Sequence, residues 1–331
     1  MTIMKAVVCT KYGPPEVLRL AEIEKPIPKD GEILVRVYAT TVSAADYRVR
    51  SFDVPAAFWL PARLALGFRK PRKPILGMEI SGTVEAIGKD VKTFKKGDDV
   101  FAATLQSFGG YADYICLAED GAIATKPSAL NYTEAAAIPI GARTAWHYLK
   151  DFAEIKTGQK ILIYGASGSV GTYAVQFAKY FGCDVTGVCS TSNLNLVKSI
   201  GADKVIDYTK DGFAKDFETY DIIFVTVDKC PFAVCKNALN KTGVYMNIGR
   251  PIPSLEMIWA SLTSNIKVVV GKNVPESGET MFILKSIAER GILKPIIDRT
   301  YSLDQIVEAH HYADKGHKRG NLVITMNEFY V

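Results

Sequence analysis

The chain has 331 residues, 48% of them hydrophobic and 23% charged, and its 40 lysines and arginines against 35 acidic residues give a net charge of +5. That length accommodates two domains of ordinary size, and the mixed composition excludes a disordered or fibrous chain. Charge this mild and interspersed also excludes the concentrated basic stripe of a dedicated nucleic-acid binder.

The N-terminal stretch reads directly into a strand, Lys5-Ala-Val-Val-Cys9, without signal-peptide architecture, and no apolar run approaches the ~18 residues of a membrane span. The cysteines at 9, 116, 183, 189, 230 and 235 never show the two-residue spacing of a zinc knuckle or redox motif. Free thiols and a cytoplasmic location are the expectation.

From 5 to 125 the pattern is one of short strands separated by turn residues: 5–9, 17–21, 32–39, 80–87, 99–102 and 111–118. This predicts an all-β unit of barrel type. From about 127, apolar strands (160–164, 184–189, 204–206, 221–227, 243–248, 266–271) alternate with helical patterns (133–149, 169–181, 193–200, 230–240). Such alternation predicts an α/β, doubly wound parallel sheet. A helix at 279–291, a short strand, a helix at 303–314 and a final strand at 321–325 follow, with too little apolar content to stand alone. The expected division is therefore 1–126, completed by 275–331, and 127–274.

The segment 51–74 stands apart. Apolar residues from Val54 to Phe68 precede Arg69, Lys70, Arg72 and Lys73. A lid over a flat hydrophobic substrate, an ordinary surface excursion and attachment to a membrane surface are all open readings.

The most informative stretch is Ile161-Leu-Ile-Tyr-Gly-Ala-Ser-Gly-Ser-Val-Gly171, followed at once by a helical pattern. A strand, a turn with glycines at 165, 168 and 171, and a helix are what a dinucleotide needs. The glycines let backbone approach the diphosphate and let helix pack on strand, while the helix N-terminus supplies free N–H groups and a positive dipole end. The next strand ends at Cys189-Ser-Thr-Ser-Asn193, without the carboxylate that an NAD-specific site places on the ribose hydroxyls. NADPH is the expected cofactor, with NADH the lesser candidate.

These segments, with Leu76-Gly-Met-Glu-Ile-Ser-Gly-Thr-Val-Glu-Ala-Ile-Gly88, Phe94-Lys-Lys-Gly-Asp-Asp-Val-Phe101, Gly109-Gly-Tyr-Ala-Asp-Tyr-Ile115, Ala135-Ala-Ala-Ile-Pro139 and Thr144-Ala145, occur in an order that resembles the medium-chain dehydrogenase/reductase superfamily. The chain is most similar to its zinc-independent quinone oxidoreductases, the group of zeta-crystallin. The resemblance covers nearly the whole chain. It implies a Rossmann domain inserted in a GroES-like catalytic domain, with the active site in the cleft between them.

The zinc-dependent branch of that superfamily carries a cysteine three residues before an aspartate and a histidine after the glycine of the Leu76 segment. Here Ser43 precedes Asp46 and Met78 follows Gly77. A neutral hydroxyl and a thioether do not replace thiolate and imidazole on zinc, so no zinc is expected. Without a Lewis acid, the chemistry left is hydride transfer to a ready acceptor, with proximity and hydrogen-bond donors doing the catalysis.

Gly165, Ser167, Gly168, Ser169, Val170 and Gly171 are expected at the diphosphate. Ser190, Thr191 and Asn193 are expected at the ribose phosphate, and the resemblance adds Tyr208, with Lys210 nearby. It also places Thr144 beside the nicotinamide, Asn247, Ile248 and Gly249 at the carboxamide, and Asn321 near the cofactor cleft. Ser43, Asp46 and Tyr47 are the candidates on the substrate side. For Asp46, catalytic and structural roles remain equally open.

The expected reaction is reduction of a quinone. Reduction of an enone, alkenal or enoyl-thioester double bond is the alternative within the same chemistry, and Arg63, Arg69, Lys70, Arg72 and Lys73 offer a basic entrance for a phosphorylated carrier. A non-catalytic NADPH-sensing or RNA-binding protein is the alternative from another class. The apolar strand at 265–271 is an expected sheet edge and predicts a homodimer.

Overall fold

The computed structural model describes residues 2–105 and 107–326. Its strands are, in chain order, β1 Ile3–Cys9, β2 Leu18–Glu24, β3 Glu32–Thr41, β4 Glu79–Ile87, β5 Asp99–Ala103, β6 Tyr114–Ala118 and β7 Ile123–Thr125. Then come β8 Lys160–Tyr164, β9 Asp184–Cys189, β10 Lys204–Asp207, β11 Tyr220–Val225, β12 Leu239–Asn247 and β13 Lys267–Val270. β14 Ile297–Ser302 and β15 Asn321–Thr325 complete the set. The chain divides into two compact units: Met1–Ile140 with Glu276–Gly291 and Pro295–Val331, and Gly141–Pro275 with Ile292–Lys294.

In the first unit the strands run β14-β15-β3-β4-β5-β7, with β6 also on β3, and β1 and β2 form a separate antiparallel ribbon. All pairings in the larger sheet are antiparallel except β14 with β15. β3 is central because Ile33, Val35 and Val37 leave water completely or nearly so, packing with Val7, Ile80, Val84, Val100, Leu322 and Ile324. The tail returns to this unit, since β15 pairs with β3 through Val323, Ile324 and Thr325.

The division falls after Ile140, not at 126/127. Residues 127–140 belong to the first unit because the helix Tyr132–Ala136 is fastened to its sheet. Ser81 Oγ donates to the Tyr132 carbonyl at 2.5 Å, and the Tyr132 hydroxyl donates to Asp99 Oδ1 at 2.7 Å. Ala136 and Ala137 are buried with Ala39 and Val323. The helix expected over 133–149 is interrupted for the same stretch's chemistry. Pro139 has no N–H to continue the first helix, so it opens a second, Pro139–His147, which ends in a wide turn over Tyr148–Phe152.

In the second unit six parallel strands run β10-β9-β8-β11-β12-β13. The centre, Ile161, Leu162 and Ile163 of β8, is fully buried, as a sheet covered on both faces requires. The order reverses beside β8, so the C-terminal ends of β8, β9 and β11 open on the crevice where such sheets bind ligands. One helix read from sequence is shortened. The helix expected over 230–240 is only Phe232–Asn237, because Leu239 already pairs with Tyr220 and starts β12. A helix at Leu255–Thr263, capped by Ser254, had no sequence expectation, and neither did the short helices Ala44–Ser51 and Trp59–Leu66 or strand β7. Among the described residues no helix is long and apolar enough to cross a membrane.

Candidate functional site

The turn after β8 is built for close approach. Gly165 has φ +83°, and a Cβ there would stand 2.6 Å from Thr226 Oγ1. A Cβ on Gly171 would stand 2.1 Å from the Gly165 carbonyl oxygen, so only glycine lets the helix Ser169–Tyr180 sit this close to the strand. Gly168 is different: its Cβ would meet nothing nearer than 3.4 Å, so its missing side chain leaves space outside the fold. It is also the N-cap, and no side chain caps the first turn of that helix. Ser167 and Ser190 each receive a hydrogen bond of 3.1 Å from Asn193 Nδ2, while the buried Asn193 Oδ1 has no hydrogen-bond partner. A helix end without a side-chain cap, beside two hydroxyls that can donate, fits a dinucleotide diphosphate, and the unfilled Asn193 acceptor suits a hydroxyl of the ligand.

At the strand tip the structure brings in a residue that sequence reasoning missed. Asp207 closes β10 and pairs across to Cys189. Thr191 Oγ1 donates to its Oδ2 at 2.6 Å, and Thr209 donates to its Oδ1 through both Oγ1 (2.7 Å) and backbone N–H (3.0 Å). Those donors, Thr191 first, hold the Asp207 carboxyl below its ordinary range. The tip is therefore not free of acid, as the β9 sequence alone implied. The parallel neighbour supplies the charge. Thr191 is occupied by Asp207, whereas Ser190 is half-buried and Ser192 and Lys210 are exposed. Tyr208 is half-buried against Tyr164, ring centroids 6.1 Å apart.

β12 ends in a second rigid turn. Asn247 is fully buried; its Nδ2 donates to Asp228 Oδ1 (2.9 Å) and to the Tyr245 hydroxyl (3.1 Å), and its Oδ1 accepts the Gly249 N–H at 2.8 Å. A Cβ on Gly249 would lie 2.7 Å from Asp228 Cβ. Asn247, Ile248 and Gly249 thus form a fixed backbone edge, and Asp228, another residue missed from sequence, fastens it. Thr144 lies half-buried within the helix Pro139–His147.

In the first unit, Ser43 and Asp46 form a capping box at the helix Ala44–Ser51. Ser43 donates to Asp46 Oδ2 from its hydroxyl (2.6 Å) and its backbone N–H (2.8 Å), and Gly77 N–H donates to Asp46 Oδ1 at 3.0 Å. Asp46 is completely buried, and burial pushes its carboxyl up to about 6 against the pull of those donors. Glu79 lies one residue beyond Met78, equally withdrawn from water. It accepts from Thr41 Oγ1 (3.0 Å) and Ile140 N–H (3.1 Å), and burial pushes it up to about 8. Lys318 is half-buried as a residue, but its ammonium end is enclosed and donates to the Gly320 carbonyl at 3.0 Å. Burial lowers its pKa against the fields of Glu79, Asp298 and Asp46.

Ser43, Asp46, Gly77 and Glu79 are thus gathered into one polar cluster, and Asp46 has a structural task in it. A catalytic zinc does not fit these residues. The Ser43 oxygen is committed to the capping box and Met78 is a buried thioether; among the described residues no group of three or more His, Cys, Asp or Glu is placed to hold a metal. Tyr47 lines a cavity of ≈ 370 Å³ with Gly13, Arg50, Asp53 and Asp314. Asn321 opens β15 with its Nδ2 on the Ile296 carbonyl at 3.2 Å.

Known proteins resemble the chain over most of its length. The alcohol dehydrogenase GroES-like domain family matches residues 29–128, and the zinc-binding dehydrogenase family matches residues 200–324. The NAD(P)H oxidoreductase RTN4IP1, mitochondrial, of Mus musculus is 30% identical over 98% of this chain and 90% of its own. The chloroplastic quinone-oxidoreductase QR1 of Triphysaria versicolor is 33% identical over 97% of this chain and 98% of its own. Among solved structures, the quinone oxidoreductase from Coxiella burnetii superposes with a TM-score of 0.84 at 26% identity, covering 98% of this chain and 99% of that one.

Proposed function

Because the chain belongs to the medium-chain dehydrogenase/reductase superfamily, in its quinone oxidoreductase branch, and is an NAD(P)H-dependent oxidoreductase, we propose that it reduces a quinone with NADPH and without zinc. The observation that carries this reading is an intact dinucleotide turn in a chain whose Ser43 and Met78 stand where a zinc site needs thiolate and imidazole.

When bound, the reduced nicotinamide supplies a hydride. The chain's residues do the rest. Backbone N–H groups at Gly168 to Gly171 and the helix dipole hold the diphosphate. The 247–249 edge, fixed by Asp228, would hold the carboxamide, and Thr144 is the residue of the same unit assigned to the ring. Ser190, Ser192 and Lys210 favour a ribose phosphate, against the field of Asp207. A quinone takes up one hydride and one proton to become the hydroquinone, and water delivers the proton.

The test follows nicotinamide absorbance with EDTA present, offering NADPH or NADH with a quinone and separately with an alkenal. Fast NADPH oxidation by quinone is expected. Preference for the alkenal would move the assignment to double-bond reduction, and no turnover despite NADPH binding would remove the enzymatic reading.

We also propose a two-fold dimer. Strand β13 ends the parallel sheet, and beside it Leu255, Ile258, Trp259 and Leu262 form an exposed apolar stripe on one helix. A solution mass of twice the chain is expected; a monomer at micromolar concentration would refute it.

A further inference from the structure

The helix Trp59–Leu66 is amphipathic the wrong way round for a protein surface. Its charged residue points inward: the Arg63 guanidinium lies 3.7 Å over the Phe52 ring and 4.6 Å over the Tyr12 ring, and donates to the Phe68 carbonyl at 2.6 Å. Tyr12 donates from its hydroxyl to the Gly67 carbonyl at 3.0 Å, which fastens the end of the helix. The outward face then consists of Leu60, Pro61, Leu64 and Ala65, all exposed and none polar. Leu60 is 56% exposed, Leu64 61% and Phe68, just past the helix, 63%. Water-facing helices carry charge on that side.

Charge follows this face directly along the chain. From Val54 to Met78 there is no aspartate or glutamate, while Arg63, Arg69, Lys70, Arg72 and Lys73 are all present, and the last four are exposed. An apolar ridge followed by exposed cations of one sign matches the interface of an anionic bilayer, where leucines and phenylalanine enter the acyl boundary and the cations meet headgroup phosphates. A second copy of the chain suits the patch less well. A two-fold contact brings together two copies of a cation-rich segment that holds no acid to pair them. A nucleic acid would use the cations and leave Leu60 and Leu64 without a role.

We propose that the segment from Trp59 to Lys73 is a peripheral docking surface for an anionic lipid bilayer. Such attachment is independent of the reductase activity and changes where the protein works, not its chemistry.

The full-length protein is sedimented with vesicles of phosphatidylcholine alone or mixed with phosphatidylglycerol, alongside the variants Leu60→Gln/Leu64→Gln and Arg69→Gln/Lys70→Gln/Arg72→Gln. Binding to the anionic vesicles only is expected. It should fall roughly tenfold or more in the leucine variant, and roughly fivefold per cation removed. Both variants should keep the wild-type melting temperature, because the changed side chains face solvent. Absence of sedimentation with anionic vesicles at low salt would overturn the proposal. So would full vesicle binding by the leucine variant together with tight, salt-sensitive binding of single-stranded RNA, which marks a polyanion site. A solution mass that halves in the leucine variant, without any vesicle binding by the wild type, would assign the patch to a second copy.

Discussion

The glycine turn of the second unit and the Ser43–Asp46–Glu79 cluster of the first treat polar groups in opposite ways. Around Gly168 the fold leaves a helix N-terminus without a side-chain cap and the Asn193 Oδ1 without a partner, so both can serve a ligand. Around Asp46 and Glu79 the fold buries two carboxyls and supplies each with donors from its own backbone and hydroxyls. The first arrangement is stability withheld for binding. The second spends hydrogen bonds on keeping buried acid in place, and desolvation still raises both groups above their ordinary range.

The sharpest way to break this contrast is within the turn itself. Gly171→Val should destabilise the protein by about 3 kcal/mol and abolish nicotinamide binding, because its Cβ would collide with the Gly165 carbonyl. Gly168→Ala should leave stability within about 1 kcal/mol of wild type and weaken NADPH binding, since the added methyl meets open space. Urea unfolding beside fluorescence titration with NADPH reads both; equal destabilisation would show that Gly168 is also a packing glycine.

The buried cluster should show itself in pH dependence. A carboxyl whose pKa is higher folded than unfolded holds its proton more tightly in the native state, so its contribution is full below the unfolded value and is lost as pH rises to the folded one. For Glu79 that window runs from 4.5 to about 8, and for Asp46 from 3.8 to about 6. Unfolding free energy should therefore fall between these limits, at most about 1.4 kcal/mol per pH unit for each group. Glu79→Gln should flatten the slope between pH 6 and 8 while costing about 1 kcal/mol at pH 5. An unchanged slope would place the titration elsewhere.

The smallest expected effect concerns the strand tip. Asp207→Asn removes a negative charge beside Thr191 and should raise NADPH affinity a few-fold while leaving NADH nearly unchanged. Lys210→Ala should do the reverse. Titrations at low and high salt check this, and an effect equal on both cofactors would separate Asp207 from the ribose phosphate.

Much of the second unit was legible in sequence because its signals are local. A buried strand, three glycines at fixed spacing and a helix lie within twenty consecutive residues, and each is dictated by backbone geometry. The cluster in the first unit was half legible. Ser43 and Asp46 stand three residues apart and form a local capping box, but Glu79 and Lys318 reach it only through the pairing of β4 with β3 and the return of the tail. Helix Leu255–Thr263 was missed because its apolar residues face outward, so no core-facing stripe marked it.

By itself the sequence determined the parallel sheet, the nucleotide turn and the residues standing where zinc ligands would be, since these depend on short-range chain geometry and on donor chemistry. Only the tertiary structure decided that Asp207 enters the β9 tip, that Asp46 and Glu79 are buried acids, that Arg63 points inward and that Leu60 and Leu64 face solvent. Those facts depend on which strands lie side by side and which face of a helix finds partners, and neither is written in the local spacing of residues.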